Sequence, residues 1–337
     1  MPTKTPPLES VLAMGKKYPH LWDNIAYIVA GEYDDSTEWD RELCYCPIGA
    51  VQAAIKAESS GDAYIRDASF AAALAAWRRG KYIYSFDDYL IGELLESATD
   101  TTIPLDILYR LPAQCVYIEL SKYPVSGFPA GFFVHFEYDF HTGGRELRMH
   151  FINHSGKLTG ASIVHLIPGG TINDGIDEAL ALELKHAPDQ PEIHDQINET
   201  YEQMRGVTVK AMQFVLYICA ENAEIAEDRA QKKIYRKRNK VLDKIEEIRK
   251  WDVGVKTGKI LRSLESPAKR GIYPVYADKN TADGAGSPKR THLRRAHWHH
   301  FWIGSGGDRQ LILRWVSSTV INPDGTTPLT VIKIKKQ

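Results

Sequence analysis

Cysteine is scarce in this chain: four in 337 residues, at positions 44, 46, 115 and 219, with one residue between the first two. So low a count excludes a disulfide-stapled scaffold. The Cys44-Cys46 spacing suits neither a disulfide nor a zinc ribbon, so the thiols are read as reduced. Long apolar runs are also missing, because the longest, AMQFVLYICA, is broken by Gln213 and falls far short of a membrane span. The opening MPTKTPPLES has no apolar core behind its charge. The expectation is a cytoplasmic protein with no membrane partner. Signatures of catalysis are lacking as well: HExxH, CxxC and GxSxG do not occur, and neither Ser126-Gly127 nor Gly169-Gly170 makes a phosphate loop.

A hydrophobic content of 43% at this length is enough for a sizeable core, in two domains or in one large domain with an extension. The net charge of −1 conceals an imbalance. Residues 1–190 hold 15 Lys and Arg against 26 Asp and Glu, whereas residues 191–337 hold 27 against 17. A basic half suits nucleic acid or an acidic protein, and it equally suits attraction between the two halves.

Periodicity divides the chain. LESVLAMGKKYPHLWDNIAYIVAG places apolar residues at helical spacing, and its Gly15 and Pro19 predict two short helices. PIGAVQAAIKAE and the alanine-rich DAYIRDASFAAALAAWRRG predict two more, the second ending at Gly80. Ser85 and Asp88 read as a variant capping box for FDDYLIGELLES. The period then changes: QCVYIEL, GFFVHFEYDF, RELRMHFINH and GASIVHLIP predict an antiparallel meander, with a turn at HTGGRE. Helix resumes at NDGIDEALALELKH. A long helical stretch follows, whose last part, RAQKKIYRKRNKVLDKIEEIRKW, is amphipathic through Ile234, Val241, Ile245 and Ile248. THLRRAHWHHFW, RQLILRWVSS and PLTVIKIKK read as three closing strands. The fold class is therefore α+β. It divides into a helical N-terminal region over 1–110, a central antiparallel β region over 111–190 and a long helical segment over 191–278. A linker over 279–290 then leads to a C-terminal β unit over 291–337, which either stands alone or completes the central sheet.

The chemistry concentrates in THLRRAHWHHFWIG, where four histidines, two arginines, two tryptophans and a phenylalanine occupy fourteen positions, 291 to 304. On a strand, Leu293, Arg295, His297, His299 and Phe301 share one face; His292, Arg294, Ala296, Trp298, His300 and Trp302 share the other. His297 and His299 have the spacing of paired metal ligands, yet no third ligand is identifiable, and no metal or other cofactor is expected. A histidine acting as acid or base, with Arg314 stabilising a phosphorane-like transition state, would make a metal-independent ribonuclease. Arginines on phosphates, with Trp298, Phe301, Trp302 and Trp315 stacking on bases or apolar side chains, would make an RNA-binding adaptor or a peptide surface. The same residues also make an ordinary packed strand, with tryptophans in the core and Arg and His at the surface. Lys232, Lys233, Arg236, Lys237 and Arg238, within seven basic residues in the twelve of RAQKKIYRKRNK, form a basic surface or a solvated helix face.

Three ordered segments carry a resemblance. RTHLRRAHWHHFWIGSGG with RQLILRWVSSTVIN resembles the C-terminal signature of the second type V-A anti-CRISPR family, found on phages and conjugative plasmids. LAAWRRGKYIYSFDDYLI leading to LPAQCVYIELS is similar to that family's helix-to-strand passage, and AMQFVLYICAE to its buried helix. The resemblance implies a protein without a catalytic centre that lowers the amount of the type V-A CRISPR effector nuclease. It would recognise the nuclease's N-terminal peptide during translation, after which the mRNA is lost. The implied signature positions are His292, Arg294, Arg295, His297, Trp298, His299, Trp302, Arg314 and Trp315. The basic C-terminal half is then expected to meet the ribosome or its mRNA. GEYDDSTEWDRE and the charged stretch from Arg229 to Lys250 have no counterpart in the resemblance.

Overall fold

The computed structural model describes residues 5–31, 39–58, 63–97, 101–120, 128–140, 143–227, 248–269, 292–294 and 296–321. The chain is α+β, organised by a mixed sheet of seven strands. In chain order these are β1 (Tyr82–Phe86), β2 (Cys115–Glu119), β3 (Gly131–Tyr138), β4 (Arg145–Ile152), β5 (Leu158–His165), β6 (Ile225–Glu227) and β7 (Arg249–Val253). In space the order is β5-β4-β3-β2-β1-β7-β6. The meander expected from alternation is present as β2 to β5, antiparallel throughout. β1 extends it by lying parallel to both β2 and β7.

Helices cover both faces, and the two-residue period of each strand sends alternate side chains to each layer. On one side lie α1 (Pro6–Lys17), α2 (Leu21–Val29), α3 (Ile48–Lys56) and α4 (Ala63–Gly80), packed on Ile83, Cys115, Tyr117, Phe133 and Ile152. On the other lie α5 (Asp88–Glu96), a 3₁₀ turn (Leu105–Arg110), α6 (Ile172–His186) and α7 (Pro191–Cys219), packed on Phe86, Val116, Ile118, Phe132, Val134 and Met149. Fully buried large side chains such as Phe132, Phe133 and Phe214 contribute about 1.5–3 kcal/mol each. Local signals set the helix ends. Thr171 and Asp174 form a reciprocal capping box at the start of α6. α8 (Val255–Lys269) is capped from outside, since the Glu224 carboxylate accepts from Lys256 N at 2.7 Å and Thr257 N at 2.9 Å.

Tertiary pairing overrode local pattern in three places. YIYSF lies within the region read as helical but forms β1, because Ile83, Tyr84 and Phe86 are buried between the two helical layers. Ser85 consequently sits in that strand and caps nothing; Asp87 caps α5 by accepting from Tyr89 N. The segment read as one long helix ends at Cys219, and β6 and β7 follow it. Lys250 is tolerated inside β7 because its Nζ lies 2.7 Å from the Glu119 carboxylate across β1. Most of the amphipathic stretch, 228–247, and the expected strand PLTVIKIKK lie outside the described residues.

The C-terminal strands are β8 (His292–Arg294), β9 (His297–Ile303), β10 (Gln310–Val316) and β11 (Thr319–Ile321). β9 pairs with β10 and β8 with β11, both antiparallel. Among the described residues neither pair joins the seven-stranded sheet.

Candidate functional site

The β9–β10 hairpin turns through IGSGGD, where Gly304 and Gly306 take φ of +86° and +61°, a region glycine enters without a Cβ penalty. Alternation then gives two faces. Trp298, His300 and Trp302 stand opposite Trp315, Leu313 and Leu311 on the inner face; His297, His299, Phe301 and Ile303 stand opposite Val316, Arg314, Ile312 and Gln310 on the outer one.

The inner face is anchored in the main core. Trp298 and Trp315 are both buried there, with Leu311 and Leu313. Trp298 Nε1 donates to Gln213 Oε1 at 2.5 Å, and the Trp315 ring meets Tyr217 edge-on at 5.6 Å. The Asn222 side chain brackets the Trp315 backbone, accepting from its N at 3.0 Å and donating to its O at 2.7 Å. Glu221 N donates to Leu313 O at 3.0 Å, and the Arg110 guanidinium donates to Leu311 O. At the base, the Ser318 hydroxyl donates to the Glu93 carboxylate and accepts from Ala296 N. Burial pushes the Glu93 carboxyl above its ordinary pKa. The hairpin is thereby fixed to α5, α7 and the 3₁₀ turn.

The outer face is partly exposed: Ile312 is buried on it and His297, Phe301 and Val316 are half-buried, while His299, Ile303, Gln310 and Arg314 reach solvent. His299 and Arg314 are exposed and directly opposed across the strands. The His299 and Phe301 rings lie 5.1 Å apart, and Arg314 reaches the Glu221 carboxylate at 3.6 Å. At the far end Trp302 and Ile303 are 48% and 43% exposed, so Trp302 leaves the core that holds Trp298 and Trp315. This surface combines cationic, imidazole and aromatic groups on a strand pair held by the core. His292 and Arg294 belong to β8, while Arg295 and the basic surface residues Lys232, Lys233, Arg236, Lys237 and Arg238 lie outside the described residues. No group of three or more His, Cys, Asp or Glu able to hold a metal occurs among the described residues.

A second polar cluster was not legible as such in the sequence. His135 and His150 meet on β3 and β4 with rings 5.3 Å apart. His150 Nε2 lies 3.1 Å from the Ser69 hydroxyl, and Arg148 joins the Glu146 carboxylate at 2.6 Å. A serine beside a histidine is the beginning of a nucleophilic pair, but His150 Nδ1 is buried with no partner among the described residues, so the orienting third group is missing. Burial and the nearby Arg148 charge lower the His135 pKa to about 3, and burial lowers His150 strongly as well. Burial raises Glu137 to about 8, while its carboxylate accepts from Ile48 N at 2.8 Å. These groups form a neutral seam between α3, α4 and the sheet. Only the strand alternation that puts His135 and His150 on one face signalled it in advance.

The model of the AcrVA2-like family, described as the anti-CRISPR type V subtype A2 family, matches residues 84–323, from β1 through β11. The chain belongs to this family. Membership supports an anti-CRISPR function directed at type V-A systems. Protein FinQ of Escherichia coli is 26% identical over 284 residues, covering 76% of this chain and 77% of FinQ. The crystal structure of AcrVA2 superposes with a TM-score of 0.62 at 16% identity, covering 95% of this chain and 100% of that one, so the two share a fold. The AcrVA2-like region takes in the whole anchored hairpin, whereas α1 to α4 precede it. No helix among the described residues is long and apolar enough to cross a membrane.

Proposed function

We propose that this anti-CRISPR protein acts on the biogenesis of a type V-A CRISPR effector nuclease. It recognises the nuclease's N-terminal polypeptide as that segment emerges from the ribosome, and the encoding mRNA is lost in the course of translation. One observation carries the reading: the outer face of β9–β10 exposes His299, Ile303, Arg314 and the neighbouring Trp302 on a hairpin whose other face is locked into the core. A surface already rigid before binding loses little conformational freedom on meeting a flexible chain. Arg314 offers a charge to an acidic or carbonyl-rich segment, and Trp302 and Phe301 offer area for apolar side chains. Lys232, Lys233, Arg236, Lys237 and Arg238 would supply a separate electrostatic hold on the ribosome or its mRNA. Two weak contacts joined in one protein select for ribosomes carrying the right nascent chain, because the second contact becomes intramolecular.

The test is an anisotropy titration of the full chain with a labelled peptide covering the nuclease's N-terminal segment. Saturable binding is expected, weakened about tenfold by Arg314→Glu. No saturable binding would remove the peptide from the account. In a parallel assay the purified protein is incubated with the naked transcript. Cleavage that disappears in His297→Ala or His299→Ala would replace this reading with the ribonuclease one, and transcript loss confined to translating extracts supports it.

A further inference from the structure

β5 ends the seven-stranded sheet, with no strand beyond it among the described residues. Its ladder to β4 pairs Ser162 with Met149 and Val164 with Leu147, and Leu166 N continues it by donating to Arg145 O at 2.8 Å. Residues that exchange bonds with a neighbour alternate along an antiparallel strand. Leu166, Val164 and Ser162 therefore face β4, and the backbone N–H and C=O groups of Ile163 and Ala161 face the open edge. That edge is one wall of a cavity of about 380 Å³ whose other walls are α6 and α7. Ile176 and Ala179 of α6, with Ile193, Ile197 and Met204 of α7, give it an apolar lining.

The groove follows from how α7 runs. Its C-terminal half is buried on the sheet, and Thr208 meets β5 through its hydroxyl contact with Ser162 at 2.5 Å. Further toward its start, Ile193 and Ile197 are half-buried and line the cavity. α6 closes the other end, because Gly175 packs against His165 O closely enough to leave no space for a side chain. Charge distinguishes the two helices: residues 172–205 hold nine Asp and Glu against Lys185 and Arg205 alone. Arg205 is itself taken up by Asp177 and Asn173. Glu183 lines the groove, and Glu192 and Glu199 lie one turn to either side of the lining Gln196.

We propose that this groove binds an extended segment of a partner protein as an added strand along β5. Apolar side chains of the segment enter at alternate positions between α6 and α7, and lysines or arginines flank them. Strand addition supplies hydrogen-bond partners for the outward groups of Ala161 and Ile163, and the two-residue period of a strand sends every second side chain of the segment into the apolar lining. The surrounding carboxylates favour a basic segment and repel an acidic one. The site is separate from the β9–β10 face and does not depend on what that face holds.

The experiment titrates the full chain with a fluorescein-labelled synthetic peptide, KKVTITVKK, followed by anisotropy. Saturable binding is expected, about tenfold weaker in Ile197→Asp. Methylating alternate peptide nitrogens removes hydrogen-bond donors without touching charge, and should abolish binding. The double variant Glu183→Lys, Glu199→Lys changes exposed positions only and should weaken binding comparably, so the test stands even where Ile197→Asp fails to fold. Arg314→Glu should leave this titration unchanged, which separates the groove from the nascent-chain face. Absence of saturable binding, or equal affinity for the N-methylated peptide, overturns the proposal. A concentration-dependent dimer dispersed by Ile197→Asp would give the groove to a second copy of the chain and overturn it too.

Discussion

Trp298 donates its indole N–H to the side chain of Gln213, at 2.5 Å inside the core, joining the β9–β10 hairpin to the C-terminal part of α7. Gln213 is the one polar residue in AMQFVLYICA, and this bond accounts for it. Gln213→Leu would leave the indole N–H buried and unpaired, which costs ~1–3 kcal/mol. Thermal unfolding should show that loss, and Trp298→Phe in the same background should recover part of it. Equal stability of Gln213→Leu and the parent chain would show that the bond holds nothing in place.

A second buried pair fixes β7 in the sheet. Lys250 and Glu119 meet at 2.7 Å with side chains only 12% and 8% exposed. Lys250→Met alone strands the Glu119 carboxylate and should cost ~3–5 kcal/mol by denaturant unfolding. Adding Glu119→Gln should return most of it, since the unpaired charge rather than the lost attraction carries the penalty.

The tryptophans of the hairpin should divide by location. Trp315→Ala removes a buried ring beside Tyr217 and should destabilise by ~3–5 kcal/mol. Trp302→Ala removes an exposed ring at the far end of the hairpin and should change stability by no more than ~0.5 kcal/mol. On the function proposed above, only the second should weaken the nascent-peptide complex while leaving the melting temperature in place. A stable Trp302→Ala with unaltered peptide binding would remove this residue from the contact surface.

The neutral seam between α3, α4 and the sheet predicts two opposed pH limbs. His135, at about 3 against an ordinary 6.5, binds its proton less well folded than unfolded. Its contribution is full above 6.5 and is lost as pH falls toward 3. Glu137, raised from 4.5 to about 8, has the reverse sign: its contribution is full below 4.5 and is lost as pH rises through 8. Glu137→Gln keeps an acceptor for Ile48 N and removes the titration. Its stability relative to the parent chain should therefore rise steadily as pH is taken from 4.5 to 8, measured by urea unfolding at each pH.

Much of the architecture could be read from periodicity, because it depends on short-range rules. The two short helices before Ala30, the alanine-rich helix ending at Gly80, the meander from Cys115 to His165 and the helix after Thr171 all follow from spacing, caps and glycines. β1 and β7 escaped because both are stabilised by neighbours distant in the chain. YIYSF abuts a strong helix, and RKWDV carries a lysine that its ion pair with Glu119 makes tolerable inside a sheet. The charge division between halves also proved coarser than the molecule, since α7, in the basic half, is acidic along its first turns.

For the hairpin, the sequence by itself determined a turn at the glycines and an alternation that sets His297, His299 and Phe301 against Trp298, His300 and Trp302. Alternation is a property of any strand and says which residues share a side, not which side faces protein. Only the tertiary structure decided that, by placing Gln213, Tyr217 and Asn222 of one distant segment and Arg110 of another beneath the strands. Those long-range contacts bury Trp298 and Trp315 and leave Trp302, His299 and Arg314 in water. They were invisible in the sequence because burial depends on where the rest of the chain folds, here on partners 85 to 201 residues away.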